Sequence, residues 1–187
     1  IFDIPLMSNI PNLVYLAPST VEELRRMLDW AMAQKDFPVA LRTPATMPRN
    51  LQYAPKQPLE LNKFEITKQG SKVALIGLGG MLALAEELAE KGIEATIVNP
   101  RFITGLDEEL LSGLVRNHDV VVTLEDGVVS GGFGEKIARF YGDKAVKVYN
   151  FGAAKEFTDR VPAEELYRRY ELTPEQIVKK ILPLDNA

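Results

Sequence analysis

Hydrophobic positions along the chain fall into short apolar runs that alternate with segments of helical spacing. The apolar runs predict strands at 13–17, 38–42, 63–67, 73–76, 95–99, 120–124 and 145–150. The amphipathic segments predict helices at 20–34, 81–91, 107–117 and 133–141, with a last helix starting at Pro174. Repeated strand–helix alternation is typical of an α/β fold, with an open, mostly parallel sheet and helices on both faces.

Two helix starts carry a capping-box pattern. Ser19 with Glu22 predicts the start of the first helix, with Val21, Leu24, Leu28 and Ala31 as its core face. Thr173 with Gln176, followed by Pro174 at the first helical position, predicts the start of the last helix. The first strand, helix and second strand together predict a right-handed parallel crossover unit.

A proline-rich stretch without hydrophobic period, at 43–61, divides the chain. We therefore predict an incomplete α/β domain at 1–48, a linker at 49–61 and a more complete α/β domain at 62–187. The chain opens on an apolar pattern without an initial Met, which we interpret as a fragment of a longer protein. A native start at Ile1 is the alternative.

Composition narrows the class of protein. With 46% hydrophobic and 26% charged residues, the chain is predicted to be a soluble globular protein. A net charge of -4 without a basic stripe argues against a nucleic-acid partner, and no apolar run reaches the roughly 18 residues that span a bilayer. The absence of cysteine excludes disulfides, thiolate metal ligands and cysteine nucleophiles. We expect a cytoplasmic protein with no membrane partner.

Candidate chemistry in the residues themselves is sparse. The glycines of IGLGGML, residues 76–82, lack the third glycine and the distant acidic residue of a dinucleotide fingerprint, so we interpret them as a tight turn. The lone His118 is explained as the cap of a helix C-terminus. Glu125 and Asp126 could be a paired acid and base, but neighbours on a strand point in different directions, so a solvated turn is favoured. No catalytic or metal-binding residues are predicted.

Read in order, several motifs resemble thiamine-diphosphate enzymes of the transketolase group, and most closely the 1-deoxy-D-xylulose 5-phosphate synthase family. The resemblance rests on FDI followed by IPN near the start, ALRTP at 40–44, NPRFITGLDEELL from Asn99 and LEDGVVSGGFGEKI from Leu124. It covers nearly the whole chain. It implies a partial pyrimidine-binding-type α/β domain followed by a transketolase C-terminal-like domain.

The resemblance also implies roles for particular residues. Asp3 and Arg42 match family positions that line the pocket for glyceraldehyde 3-phosphate, and a guanidinium suits phosphate oxygens. A plain salt bridge between the two is the alternative. The GGF turn, with Gly131 and Gly132 before Phe133, is expected to be scaffold in a domain that supports dimer contacts. Ser8, Ala45 and Arg160 stand where the family pattern has Arg, Arg and His or Gln.

The implied activity belongs to a longer parent, a homodimer that condenses pyruvate with glyceraldehyde 3-phosphate and releases carbon dioxide. Its thiamine diphosphate and Mg²⁺ sites lie in an N-terminal domain that this sequence lacks. We therefore expect the 187-residue chain alone to bind no cofactor and to be inactive. The alternatives are a transketolase, a 2-oxo acid dehydrogenase beta-subunit-like protein, or a non-catalytic oligomerisation module.

Overall fold

The computed structural model describes residues 1–44 and 53–181. The strands are β1 (Val14–Leu16), β2 (Val39–Leu41), β3 (Glu65–Lys68), β4 (Lys72–Gly77), β5 (Ala95–Asn99), β6 (His118–Val128) and β7 (Lys147–Ala153). The helices are α1 (Asp3–Met7), α2 (Val21–Ala33), α3 (Leu82–Glu90), α4 (Glu108–Leu114), α5 (Phe133–Phe140), α6 (Ala163–Arg169) and α7 (Pro174–Ile181). In these ranges, no helix combines the length and apolar character needed to cross a bilayer.

The larger sheet has the strand order β3-β5-β4-β6-β7. All of its neighbouring pairs are parallel except β3 with β5. The predicted α/β class with a mostly parallel sheet is therefore confirmed.

Both faces of the three central strands, β5, β4 and β6, are buried, which explains why their sequences contain long apolar runs. Alternate residues of β4 point to opposite sides: Val73 and Leu75 join the core under α3 and α7, whereas Ala74 and Ile76 join the core under α4 and α5. The helices of each layer contribute buried residues to their own side.

The first 44 residues form a smaller unit that packs against one end of the sheet. Strands β1 and β2 pair in parallel, and α2 connects them, as the crossover prediction required. The unit is joined to the loop after β5 by backbone hydrogen bonds, from Ala17 N to Arg101 O (2.9 Å) and from Ile103 N to Tyr15 O (2.7 Å). Met27 and Phe102 are fully buried in the core between them.

The start of α2 differs from its prediction by one residue. Thr20, not Ser19, is the N-cap, and its side chain accepts a hydrogen bond from Glu23 N (3.1 Å). Glu23, not Glu22, folds back, and its carboxylate accepts from both the backbone N and the hydroxyl of Ser19 (2.7 Å each). The predicted core face of α2 was therefore wrong. The hydrogen-bonded Glu23 occupies a buried position, whereas Leu28, which was predicted to be buried, is 47% exposed.

The remaining elements show where the sequence patterns were less informative. At α7, Thr173 accepts from Gln176 N (3.4 Å), as the capping pattern predicted. Helices α1 and α6 were not predicted. Ala45 and the first part of the predicted linker lie outside the described residues, so the domain boundaries stay a prediction.

Candidate functional site

Four polar side chains from distant parts of the chain meet where the first 44 residues contact the larger sheet. We call Asp3, Tyr15, Arg42 and Asp126 the Arg42 cluster. Asp3 is the first residue of α1, Tyr15 is the middle residue of β1 and Arg42 directly follows β2. Asp126 lies near the end of β6. The parallel pairing of β1 with β2 extends to Arg42, whose backbone N donates to Leu16 O (2.8 Å).

Arg42 is the centre of the cluster. Its Nε donates to Asp3 Oδ2 (2.6 Å) and its Nη2 to Asp3 Oδ1 (3.4 Å), so Asp3 binds one edge of the guanidinium with both oxygens. Its Nη1 donates to Asp126 Oδ1 (2.5 Å). The Tyr15 hydroxyl donates to Asp3 Oδ2 (2.8 Å).

The electrostatics of the cluster favour the charged forms of its ion pair. Although burial opposes ionisation, hydrogen bonds from Arg42 and Tyr15 hold the pKa of Asp3 below its ordinary value. Burial likewise opposes the charge on Arg42, but its carboxylate partners raise its pKa further. Burial, together with the hydrogen bond to Asp3, raises the pKa of Tyr15. Tyr15 is therefore a neutral hydrogen-bond donor, and Arg42 is a fixed cation at any physiological pH.

The two residues predicted from the resemblance, Asp3 and Arg42, are thus in direct contact. The ion pair that was the alternative reading is present, and the substrate-binding role stays a prediction. Tyr15 and Asp126 were missed. Asp126 belongs to an acidic pair that the sequence displays openly, but its partner lies 84 residues away, and no local pattern connects them.

Glu125, the other half of the acidic pair, does a different job. It is fully buried, and its carboxylate accepts hydrogen bonds from Phe133 N (3.0 Å) and Gly134 N (2.8 Å) at the start of α5. The predicted solvated turn was wrong, because these backbone donors give a buried carboxylate partners that the sequence does not reveal. Burial nevertheless raises the pKa of Glu125 to about 7.

The strand is irregular at this point. The pairing of β6 with β7 shifts register between Leu124 and Val128, so the acidic pair lies within a bulge. The following turn has Gly131 at φ 72°, a left-handed conformation that glycine adopts readily. The predicted tight turn into α5 is confirmed, and Phe133 is fully buried as expected.

The other candidate residues are structural. Gly79 has φ 54°, and a Cβ on Gly77 would lie 2.6 Å from Leu82 Cα, so the glycines form the predicted tight turn before α3. His118 is buried; its Nδ1 lies 2.7 Å from Leu114 O at the end of α4, and its Nε2 lies 2.7 Å from Thr96 Oγ1. The capping interpretation of His118 is therefore confirmed.

The Arg42 cluster consists of one guanidinium, two carboxylates and one phenol. Across residues 1–44 and 53–181, no group of three or more His, Asp or Glu side chains is placed to hold a metal ion. The cluster does offer a guanidinium whose orientation is fixed by two carboxylates, which suits recognition of one anionic group.

The fold and this site define a class of protein. Residues 62–177 match the family model of the transketolase C-terminal domain, so the chain belongs to that family.

Its curated relatives narrow the resemblance within the transketolase group. The chain is 33% identical to the 1-deoxy-D-xylulose-5-phosphate synthase of Clostridium tetani, over 98% of this chain and 30% of the relative. It is 37% identical to the corresponding synthases of Symbiobacterium thermophilum, over 96% of this chain and 29% of the relative, and Pseudoalteromonas translucida, over 99% and 30%. The predicted resemblance is confirmed. The chain spans about 30% of the length of these relatives.

A solved structure shows the same fold. It is described as a split gene transketolase in an inactive β4 tetramer. Its TM-score is 0.84 at 27% identity, over 98% of this chain and 60% of that one.

Proposed function

We propose that this chain is the C-terminal part of a thiamine-diphosphate-dependent transferase of the 1-deoxy-D-xylulose 5-phosphate synthase type. The parent condenses pyruvate with glyceraldehyde 3-phosphate and releases carbon dioxide. The observation that carries the proposal is that the synthases match both the first 44 residues and the larger domain, over at least 96% of the chain.

In this proposal Arg42 binds the phosphate of the aldehyde substrate, and Asp3 fixes one edge of its guanidinium. Asp3 takes the Nε–H and one N–H of Nη2, and Asp126 takes one N–H of Nη1, so each terminal nitrogen has a second N–H for the phosphate. The charges of Asp3, Arg42 and Asp126 sum to -1, so this cluster orients a phosphate but does not attract one by itself. Further cationic groups must come from the rest of the parent.

Thiamine diphosphate and Mg²⁺ are held by the parent's N-terminal part, and the cofactor supplies the electron sink for carbon–carbon bond formation. The protein's share is position and electrostatics. We infer that the chain alone is inactive. Calorimetric titration of the chain with thiamine diphosphate and Mg²⁺ is expected to show no binding, whereas the parent with its N-terminal part should bind both and release carbon dioxide from pyruvate. Binding of the cofactor by the isolated chain would contradict the proposal.

A second candidate has a specific observation in its favour. The solved structure with the same fold is described as a split gene transketolase, so this chain could be the β part of such an enzyme. The two candidates differ in chemistry. The assembled synthase should depend on pyruvate and release carbon dioxide, whereas a transketolase should transfer a ketol group between sugars without gas release.

We further propose a cytoplasmic, homodimeric parent. The remaining alternatives are a 2-oxo acid dehydrogenase beta-subunit-like protein and a non-catalytic oligomerisation module. A parent gene that encodes an in-frame cofactor domain would exclude both.

A further inference from the structure

We propose that Asp126 is a positioning residue for substrate recognition: the larger domain uses it to hold the Arg42 guanidinium in the orientation that binds the phosphate of the acceptor substrate. This inference rests on the proposed function and deepens it. It gives the larger domain a part in the substrate pocket beyond its role as scaffold.

Arg42 uses most of its hydrogen-bond donors within the cluster. A guanidinium has five N–H groups, and three of them are used, two by Asp3 and one by Asp126. Among residues 1–44 and 53–181, no acceptor takes the second N–H of either terminal nitrogen. Asp3 alone would fix the edge formed by Nε and Nη2, and the contact at Nη1 fixes the far end as well. The remaining two donors then have a defined direction, as bidentate recognition of phosphate requires.

The contact between Arg42 and Asp126 joins the first 44 residues to the larger domain. Asp3 and Arg42 both belong to the first 44 residues, whereas Asp126 projects from β6 of the larger sheet. The Arg42 side chain is 16% exposed and that of Asp126 is 28% exposed, so their contact is only partly screened by water. Because Asp126 belongs to the larger domain, the position of that domain determines whether Arg42 Nη1 keeps its partner.

Glu125 and Asp126 contact different parts of the fold. Glu125 is committed to the start of α5, which anchors the strand, and the strand alternation turns Asp126 to the other side, toward Arg42. The bulge in β6 lies at the same place. Bulges re-aim side chains near functional sites, and here the re-aimed side chain is a carboxylate that meets an arginine of another unit.

The first measurement uses the chain as it is. Arginine modification by phenylglyoxal, read residue by residue by mass spectrometry, should be slow at Arg42 in the unmodified sequence and about tenfold faster in Asp126→Asn. Arg101, which is 2% exposed, is the internal reference, because its rate rises only if the variant loosens the whole fold. Glu175→Gln is the matched control, since it breaks a 2.8 Å pair with Lys91 elsewhere. An unchanged Arg42 rate in Asp126→Asn, or an equal rise at Arg101, overturns the proposal.

The second measurement uses the parent protein with its cofactors. Asp126→Asn should raise KM for glyceraldehyde 3-phosphate about tenfold with little change in kcat, and should leave the kinetics with unphosphorylated glyceraldehyde unchanged. Asp126→Glu, which restores the charge, should recover most of the loss. Equal effects on both acceptors would show a purely structural contact and overturn the inference. A parent without any turnover would overturn the proposed function instead, and the Arg42 modification rates would still show whether Asp126 holds the guanidinium.

Discussion

At the scale of single residues, Gly132 and Gly113 differ in whether the structure has room for a side chain. Gly132 has φ -76°, which any residue adopts, yet a Cβ there would lie 2.4 Å from Val128 O and 2.6 Å from Glu125 Oε2. Around Gly113, within α4, a Cβ would meet nothing within 4 Å. The space around each glycine, and not its backbone conformation, therefore determines how a Gly→Ala substitution changes stability.

We expect Gly132→Ala to lower the free energy of unfolding by about 1–3 kcal/mol, because the methyl group displaces the carboxylate that caps α5. Gly113→Ala should raise it by about 0.5–1 kcal/mol through helix propensity. Denaturant unfolding of both variants measures the difference. Two shifts of the same sign would contradict the geometry.

Glu125 should make stability depend on pH. Burial raises its pKa from 4.5 to about 7, so between these values the folded chain binds more protons than the unfolded chain. The stabilisation is complete below pH 4.5 and is lost as the pH rises through 7. The loss is on the order of 3 kcal/mol.

Unfolding free energies of the unmodified chain and of Glu125→Gln, measured from pH 5 to 8, test this dependence. Gln does not titrate, so the unmodified chain should lose stability relative to the variant as the pH rises. Parallel pH profiles would mean that Glu125 ionises at an ordinary pKa.

The sequence could indicate Asp3 and Arg42 only through resemblance, because their contact depends on how β1 and β2 pair. It could not indicate Asp126 as a partner at all. Successive side chains of a strand point to opposite faces, which predicts that the side chains of Glu125 and Asp126 point in different directions, and this was correct. What each side chain meets depends on α5 and on Arg42, and these are tertiary neighbours.

At the scale of elements, α2 shows how a one-residue shift changes which acidic side chain matters. Glu23 is 2% exposed and also accepts from Asn99 Nδ2 (2.9 Å), whereas Glu22 is exposed and forms surface ion pairs with Arg25 and Arg26. Glu23→Ala should therefore cost at least about 2 kcal/mol, since it leaves buried donors without an acceptor. Glu22→Ala should stay within about 0.5 kcal/mol. Thermal unfolding of the pair checks this, and similar melting temperatures would restore the original capping assignment.

The elements that were predicted well are those with a regular burial pattern. Strand β5 has the predicted bounds because all of its residues are buried, and α5 ends within one residue of its prediction because its buried residues Phe133 and Ile137 lie on one helix face. The polar extension of β6 to Val128 was missed, since a bulge with an acidic pair does not look like a buried strand. Helix α1 has five residues, which is too short to show a helical period, and α6 has no buried residue, so its sequence shows no apolar face.

At the scale of the whole molecule, the sheet order and its antiparallel edge strand depend on long-range pairing that no local pattern contains. The same holds for the packing of the first 44 residues against the loop at Arg101. The class of fold was predictable because alternating strands and helices leave few arrangements that bury both sheet faces.

The outer face of α2 bears on assembly. Val21, Leu28 and Met32 lie seven and four residues apart, so they form one stripe along the helix, and they are 49%, 47% and 86% exposed. The opposite face, with Met27, is buried. A helix with apolar residues on its exposed face is typical of a surface that meets another chain or domain.

We therefore expect the isolated chain to self-associate through α2, and Met32→Glu to weaken the association at least about tenfold, because a charge then enters an apolar contact. Gln69→Glu is the matched control, since it adds the same charge at an exposed position between β3 and β4 of the larger domain. Sedimentation velocity over a concentration series measures both variants beside the unmodified chain. A monomer at all concentrations would show that the stripe does not bind a second copy, and equal weakening by both variants would assign the effect to net charge and not to α2.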